Sequence, residues 1–238
     1  MSQVEPLTQQ QVATLRTITT ATISTILFKR GLRNVWLRGP MSMAENTPRV
    51  AGRAFTMRFV PAREDLSNPA AWASPTSTRV AVEQMPEGCI AVVDAQGCTD
   101  AGIFGDILCV RMKVRQVAGL VTDGVVRDLV GVRKSELPTW ACGTASPAAV
   151  ASLTFVGWQQ PISCGGVAVF PDDVIVADDD GAIVIPSTYL EEVLNEGPEQ
   201  ERFEAWVVDE VSRGATLPGL YPPNQESLDR YKKHCAKG

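Results

Sequence analysis

Ala101-Gly102-Ile103-Phe104-Gly105-Asp106-Ile107-Leu108, followed by Ala118-Gly119-Leu120-Val121-Thr122-Asp123-Gly124-Val125-Val126-Arg127-Asp128, reads as loop, helix, strand and turn. The apolar run 119–122 is a short buried strand closed by the Asp123-Gly124 turn, and 101–116 has the charged and apolar mixture of a helix packed on one face. The same alternation continues on both sides. Alternating or β-branched runs at 54–60, 89–94, 166–170, 174–177 and 182–185 read as strands, and 128–137 reads as a second helix. A centre that alternates β and α folds as an α/β domain around a central sheet. Thr8 is placed to N-cap a helix over 8–30 that Gly31 would close. Residues 187–213 are amphipathic and charged, a Pro/Gly-rich stretch follows at 217–223, and a short helix runs to the end. The chain 1–238 is expected to be one domain with a helical C-terminal extension over about 187–238.

Composition removes whole classes of function. A net charge of -5, with no Lys/Arg cluster before the extreme C-terminus, argues against a nucleic-acid partner, which needs a positive footprint. No apolar run reaches the roughly 18 residues needed to span a bilayer. The start, Met1-Ser2-Gln3-Val4-Glu5-Pro6, lacks the basic and apolar regions of a signal peptide, so a cytoplasmic protein with no membrane partner is expected. Six cysteines lie far apart, without zinc-site spacing, and read as reduced, mostly buried small residues. The one histidine, His234, sits in a Lys-rich tail, which argues against Ser-His-Asp and Cys-His catalysis and against His-ligated zinc. Every lysine falls on a predicted helix or helix end, against a Schiff-base lysine desolvated in a core strand.

Gly105 and Asp106 fall where the predicted helix begins. The amides of Asp106, Ile107 and Leu108 are then first-turn donors with the positive end of the helix dipole behind them, an anion-binding arrangement. Arg127 and Asp128 follow a buried strand and a turn, at a carboxyl strand end, where open α/β sheets commonly bind ligands. A guanidinium grips a 2-oxo acid carboxylate bidentately, and the carboxylates of Asp106 and Asp128 suit a hard cation held directly or through water. Such a cation polarises a 2-oxo group and stabilises an enolate. The residues alone leave a second reading open, in which Asp106 caps the helix and Arg127 with Asp128 forms a surface ion pair. The acidic stretch Asp178-Asp179-Asp180-Gly181 reads as a hairpin turn rather than a cation site, and Gly102-x-x-Gly105 lacks the third glycine of a dinucleotide loop.

Gly105-Asp106-x20-Arg127-Asp128, preceded by Val121-Thr122-Asp123-Gly124-Val125-Val126, resembles the signature of the class II 4-hydroxy-4-methyl-2-oxoglutarate and 4-carboxy-4-hydroxy-2-oxoadipate aldolases of the RraA-like family. The similarity runs on through Gly165–Pro171 and Asp179–Pro186, covering about 50–186. The resemblance implies a swivelling-type β/β/α domain assembled as a trimer or dimer of trimers, with sites between subunits. It implies that Asp128 ligates magnesium or manganese, that Asp106 holds metal waters, and that Arg127 binds a small 2-oxo acid's carboxylate with the amides of 105–108. It implies retro-aldol cleavage to pyruvate, and oxaloacetate decarboxylation. Many such aldolases add a glutamate from a neighbouring subunit; Glu192, Glu196, Glu199 and Glu201 are candidates, and no motif selects one. The stretch 143–160, read as a loop, has no Lys or Arg to meet a distal carboxylate. The alternative is the non-catalytic role of the namesake RraA proteins, which bind and inhibit ribonuclease E and carry Gln after the arginine where this chain has Asp128. An idle oligomeric scaffold is the third reading.

Overall fold

A computed structural model describes residues 5–236; residues 1–4, which carry most of the start read above, and Lys237 lie outside them. In chain order the elements are α1 (Gln9–Leu15), α2 (Thr20–Lys29), β1 (Trp36–Leu37), β2 (Met41–Ser42), β3 (Val50–Pro61), α3 (Thr78–Gln84), β4 (Ile90–Asp94), α4 (Asp106–Val114) and β5 (Gly119–Thr122). There follow α5 (Leu129–Lys134), β6 (Thr139–Ala141), β7 (Leu153–Trp158), β8 (Ile162–Cys164), β9 (Val167–Val169), β10 (Val174–Asp178), β11 (Gly181–Ile185), α6 (Leu190–Ser212) and α7 (Gln225–Cys235). The fold is mixed α/β around a central sheet.

The sheet runs β1-β11-β10-β3-β4-β5-β6-β2, with β7 pairing on β3. β3, β4, β5 and β6 are parallel, and β10, β11, β1 and β2 add antiparallel flanks. Parallel strands need cover on both faces, and β4 shows it: Ala91 and Val93 pack under α3 and α4 beside Phe104 and Met112, while Ile90 and Val92 pack under the β8–β9 hairpin with Trp140. A third apolar cluster joins α1, α2 and the start of α6 to β10 and β11, and a fourth, around Phe203, Trp206, Leu220 and Tyr231, joins the end of α6 to α7.

Several expectations need correction. The helix expected over 8–30 is two, because Thr19 takes extended dihedrals and its side chain caps the amide of Thr22, restarting the chain in a new direction. The helix expected over 101–116 begins only at Asp106; residues 101–105 are held in backbone ladders instead. The helix expected over 128–137 ends at Lys134. The stretch read as a loop over 143–160 contains β7, whose short alternation is interrupted by Gly157. The 178–181 hairpin is as expected, with Asp178 opposite Gly181. The lysines among the described residues all lie on helices. Among the described residues no helix is long and apolar enough to cross a membrane.

Candidate functional site

β4 and β5 pair in parallel, Ala91 opposite Leu120 and Val93 opposite Thr122, with α4 as the crossover between them. The loops leaving both strands therefore open on one rim, where parallel sheets present their ligand sites. Backbone bonds stitch three loops together there. Gly102 donates to the Pro147 carbonyl at 2.9 Å, Ile103 to Val125 at 2.9 Å, Arg127 to Phe104 at 2.9 Å, and Ala145 to Val126 at 2.9 Å. Arg127 thus stands on a backbone fixed from both sides.

Three glycines allow the close approach. A Cβ on Gly102 would lie 2.6 Å from the Cβ of Arg127, and one on Gly105 would lie 2.7 Å from Asp128 Oδ2. A Cβ on Gly131 would lie 2.5 Å from the Cβ of Asp106. Space rather than dihedral freedom selects glycine at these positions, since none of the three has a positive φ. The starts of α4 and α5 consequently interlock, with Asp106 over Gly131 and Asp128 over Gly105. The structure therefore brings together the residues singled out in sequence: Gly105, Asp106, Arg127 and Asp128.

Asp128 sits at the N-cap position of α5 in the left-handed region, φ 53° and ψ 45°, and makes no capping bond to that helix. Its Oδ2 instead accepts from Arg127 Nε at 3.1 Å, with the two side chains 46% and 36% exposed. The terminal nitrogens of Arg127 have no partner among the described residues, so its outer fork is available to an incoming carboxylate. At the start of α4, Gly105 offers no capping side chain. The amides of Asp106 and Leu108 have no acceptor among the described residues. The amide of Ile107 is not idle as the sequence suggested: it donates to Asp106 Oδ1 at 2.8 Å. A ligand anion at this helix end is met by the amides of Asp106 and Leu108 and by the guanidinium, with Ile107 joining only if Asp106 turns away.

Asp106 and Asp128 are both hard oxygen donors. They suit a small divalent cation that keeps much of its water shell, as magnesium does. Among the described residues no group of three His, Cys, Asp or Glu side chains is placed to hold an ion, so two carboxylates are what one chain offers. Of the candidate glutamates, Glu196 pairs with Arg30, Glu199 with Arg202, and Glu201 accepts from the amide and hydroxyl of Thr19 at 2.7 and 2.8 Å. No hydrogen bond or ion pair among the described residues joins Glu192 or the other three to Asp106, Arg127 or Asp128. Asp123 holds the rim from below: its carboxylate accepts from the amides of Ala95 at 2.8 Å and Gly165 at 3.3 Å. Burial pushes its carboxyl above the ordinary range against the pull of those amides, with Asp94 nearby adding to the rise. Cys89 and Cys109 are buried, and that burial pushes both thiols up to about 12, consistent with inert packing residues. The strip 144–148 and Gly131 were missed in sequence, although a glycine inside a predicted helix was the available signal for the second.

A family model described as Aldolase/RraA, RraA-like, matches residues 20–184. The protein DlpA of Legionella pneumophila is 27% identical over 172 residues, 71% of this chain and 26% of that protein. A protein provisionally named 4-hydroxy-4-methyl-2-oxoglutarate aldolase, from Halalkalibacterium halodurans, is 35% identical over 122 residues, 51% of this chain and 57% of that protein. The chain thus spans less than two thirds of the length of either relative. Among solved structures, RraAS2 of Streptomyces coelicolor, described as an unusual member of the RNase ES inhibitor RraA protein family, superposes with a TM-score of 0.76 at 33% identity. That match covers 89% of this chain and 100% of RraAS2. With more than half of its length matched and the Gly105-Asp106 and Arg127-Asp128 elements assembled on one rim, the chain belongs to the RraA-like family.

Proposed function

We propose that the chain is a divalent-metal-dependent lyase that cleaves a small 4-hydroxy-2-oxo acid to pyruvate and also decarboxylates oxaloacetate. The observation that carries this reading is Asp128. Its carboxylate is exposed, set by a left-handed backbone, and serves no helix cap, while the adjacent guanidinium fork and the uncapped start of α4 face the same rim. The aldolase name of the Halalkalibacterium relative supports the same chemistry.

Arg127 binds the substrate carboxylate with the amides of Asp106 and Leu108, which orients the 2-oxo group toward the two aspartates. Asp128 would hold the cation directly and Asp106 would hold it through water. A bound magnesium or manganese ion supplies a Lewis acid that polarises the 2-oxo oxygen and stabilises developing enolate charge. In the cleavage the C4 hydroxyl loses its proton and becomes a carbonyl, the C3–C4 bond breaks, and C3 of the departing pyruvate takes up a proton. Trimers or pairs of trimers that place a second chain over the exposed rim would complete the site.

A second reading, a protein-binding regulator of ribonuclease activity, is favoured by the description of RraAS2. Pyruvate release from oxaloacetate and 4-hydroxy-2-oxo acids, measured with magnesium, with chelator and in Asp128→Ala, separates the two. Metal-dependent release that the substitution abolishes supports the lyase. Release unaffected by chelator or substitution sinks the mechanism, and no release together with ribonuclease inhibition gives the second reading.

A further inference from the structure

β3 runs parallel to β4, so the chain leaving it at Pro61 enters the same rim as Arg127. Residues 62–77 then fold back over β7. Ala62 donates to the Ser152 carbonyl at 2.9 Å, Arg63 to Thr154 Oγ1 at 3.0 Å, and the Ser67 hydroxyl lies 2.9 and 2.7 Å from the carbonyls of Val150 and Leu153. Between this segment and β7 lies a cavity of about 470 Å³, within the size of small-molecule sites. Ala149 and Val150 form one wall. Just upstream, Ala145 and Pro147 bond to Val126 and Gly102, the residues that flank and underlie Arg127. The strip 145–150 therefore bonds to the backbone beside Arg127 at one end and lines the cavity at the other.

The lining combines three aromatic rings and small apolar side chains with uncharged hydroxyl and amide groups, with one ionised exception. Phe59 and Phe155, meeting edge to face at 5.1 Å, and the exposed Trp72 line it. Among the described residues the one ionised side chain on the wall, Asp65, is engaged by Arg63 through bonds of 2.8 and 2.9 Å. Arg79 is stacked over the Trp72 ring at 5.2 Å and does not line the cavity. Ser67 donates its hydroxyl to backbone carbonyls, Ser77 and Thr154 accept from backbone amides, and the remaining hydroxyl and amide groups of the wall are uncharged. A carboxylate entering here would lose its water without gaining a cation, whereas an apolar group gains by burial.

We propose that this cavity receives the C4 substituent of the substrate and selects an uncharged aromatic or branched alkyl group over a carboxylate. The inference rests on the lyase reading. The products are then pyruvate and an apolar aldehyde, rather than pyruvate and a second 2-oxo acid. The test compares kcat/KM for pyruvate release from a 4-hydroxy-2-oxo acid bearing a C4 phenyl group with that from one bearing a C4 carboxylate. The phenyl substrate is expected to be preferred by about tenfold or more, and filling the cavity with Ala71→Phe or, as a second variant, Val150→Phe to cut that ratio by a similar factor. Preference for the carboxylate substrate, lost in Arg79→Ala, overturns the proposal. A binding arm needs no turnover: phenylpyruvate is expected to quench the fluorescence of Trp72, with the signal gone in Trp72→Phe and absent with 2-oxoglutarate. Quenching without turnover of any substrate, oxaloacetate included, sinks the lyase reading while leaving an apolar site. Turnover with neither quenching nor phenyl preference sinks the cavity proposal alone.

Discussion

Two acid-bearing turns close strands of this sheet, and they use their carboxylates in opposite ways. At the β10–β11 hairpin, Asp178 is 7% exposed and fully engaged. It accepts from the Thr20 amide at 2.9 Å, the Thr20 hydroxyl at 2.8 Å, the Asp180 amide at 3.1 Å and Arg49 Nε at 3.3 Å. It ties α2 to the sheet. Beyond β5 and its turn, Asp128 stands at the N-cap position of α5, yet it caps nothing and has Arg127 as its partner. Left-handed backbone is not unique to it, but Gln116 and Glu136 adopt that geometry after helices, where chains commonly stop, whereas Asp128 adopts it before one. Holding a non-glycine residue there costs on the order of 1 kcal/mol. A satisfied buried carboxylate is scaffold, and a strained exposed one with no cap to make is available for chemistry.

Paired substitutions are the strongest way to break that contrast. Asp128→Ala is expected to lower kcat/KM for pyruvate release by about 100-fold or more while changing Tm by no more than about 2 °C. Asp178→Ala orphans a helix-start amide and an arginine, so a loss of about 3 kcal/mol and a fall in Tm of about 6–12 °C are expected, with the residual folded enzyme active. Thermal melts and initial rates on both variants decide the matter. A melt for Asp128→Ala as low as that of Asp178→Ala would assign both residues to the scaffold.

The glycines test the same division more finely. Gly131→Ala drives a methyl into the Cβ of Asp106, which has backbone behind it, so α5 must shift against α4 at a cost of about 1–3 kcal/mol with activity falling in step. Gly105→Ala first meets Asp128 Oδ2, the movable end of an exposed side chain. Its cost in stability is expected to stay under about 1 kcal/mol, and kcat/KM to fall about tenfold as the carboxylate is pushed aside. Urea titrations alongside kinetics would show the two losses moving together in the first variant and apart in the second.

The sheet and the rim were legible for different reasons. The parallel centre announced itself because Ile90–Asp94 and Gly119–Thr122 are buried on both faces, so that their middles, 90–93 and 120–121, are apolar without alternation. β7 escaped because Gly157 and a half-exposed face dilute its alternation, and the break between α1 and α2 escaped because Leu15, Ile18, Ile23 and Ile26 keep facing one core across it. Spacing showed only that Asp106, Arg127 and Asp128 could meet, because a crossover helix followed by a parallel strand returns the chain to the same edge; the resemblance to the RraA-like aldolases is what favoured them over a cap and a surface ion pair. What spacing could not show was the self-capping of Ile107 by Asp106, a choice of rotamer, or the strip 144–148, whose pairing with Gly102 and Val126 is long-range and carries no local pattern. The cavity under 62–77 was equally invisible, because its walls come from segments about 80 residues apart in sequence.

Glu201 gives the smallest test and sharpens the same rule through pH. Although partial burial alone would raise its carboxyl, the bonds from the Thr19 amide and the Thr22 and Thr19 hydroxyls, with Arg49 nearby, hold it below the ordinary glutamate range. A carboxylate whose folded value lies below its unfolded one adds stability above the unfolded value and loses it as the pH falls through the folded one. The Glu201 contribution should therefore be constant at neutral pH and fade in acid, below about pH 4.5, the ordinary value for a glutamate. Glu201→Ala removes the acceptor for the start of α2 and is expected to cost about 1 kcal/mol at pH 7, a fall in Tm of about 2–4 °C. Glu201→Gln keeps Oε1 for both Thr19 donors, so it is expected to lose less at pH 7, and its deficit against the parent chain is expected to shrink between pH 7 and pH 3 as the native carboxylate takes up its proton. Melting curves at the two pH values read this directly. A constant difference between Glu201→Gln and the parent across that range would mean that charge plays no part in holding α2, leaving geometry alone as what distinguishes the scaffold carboxylates from Asp128.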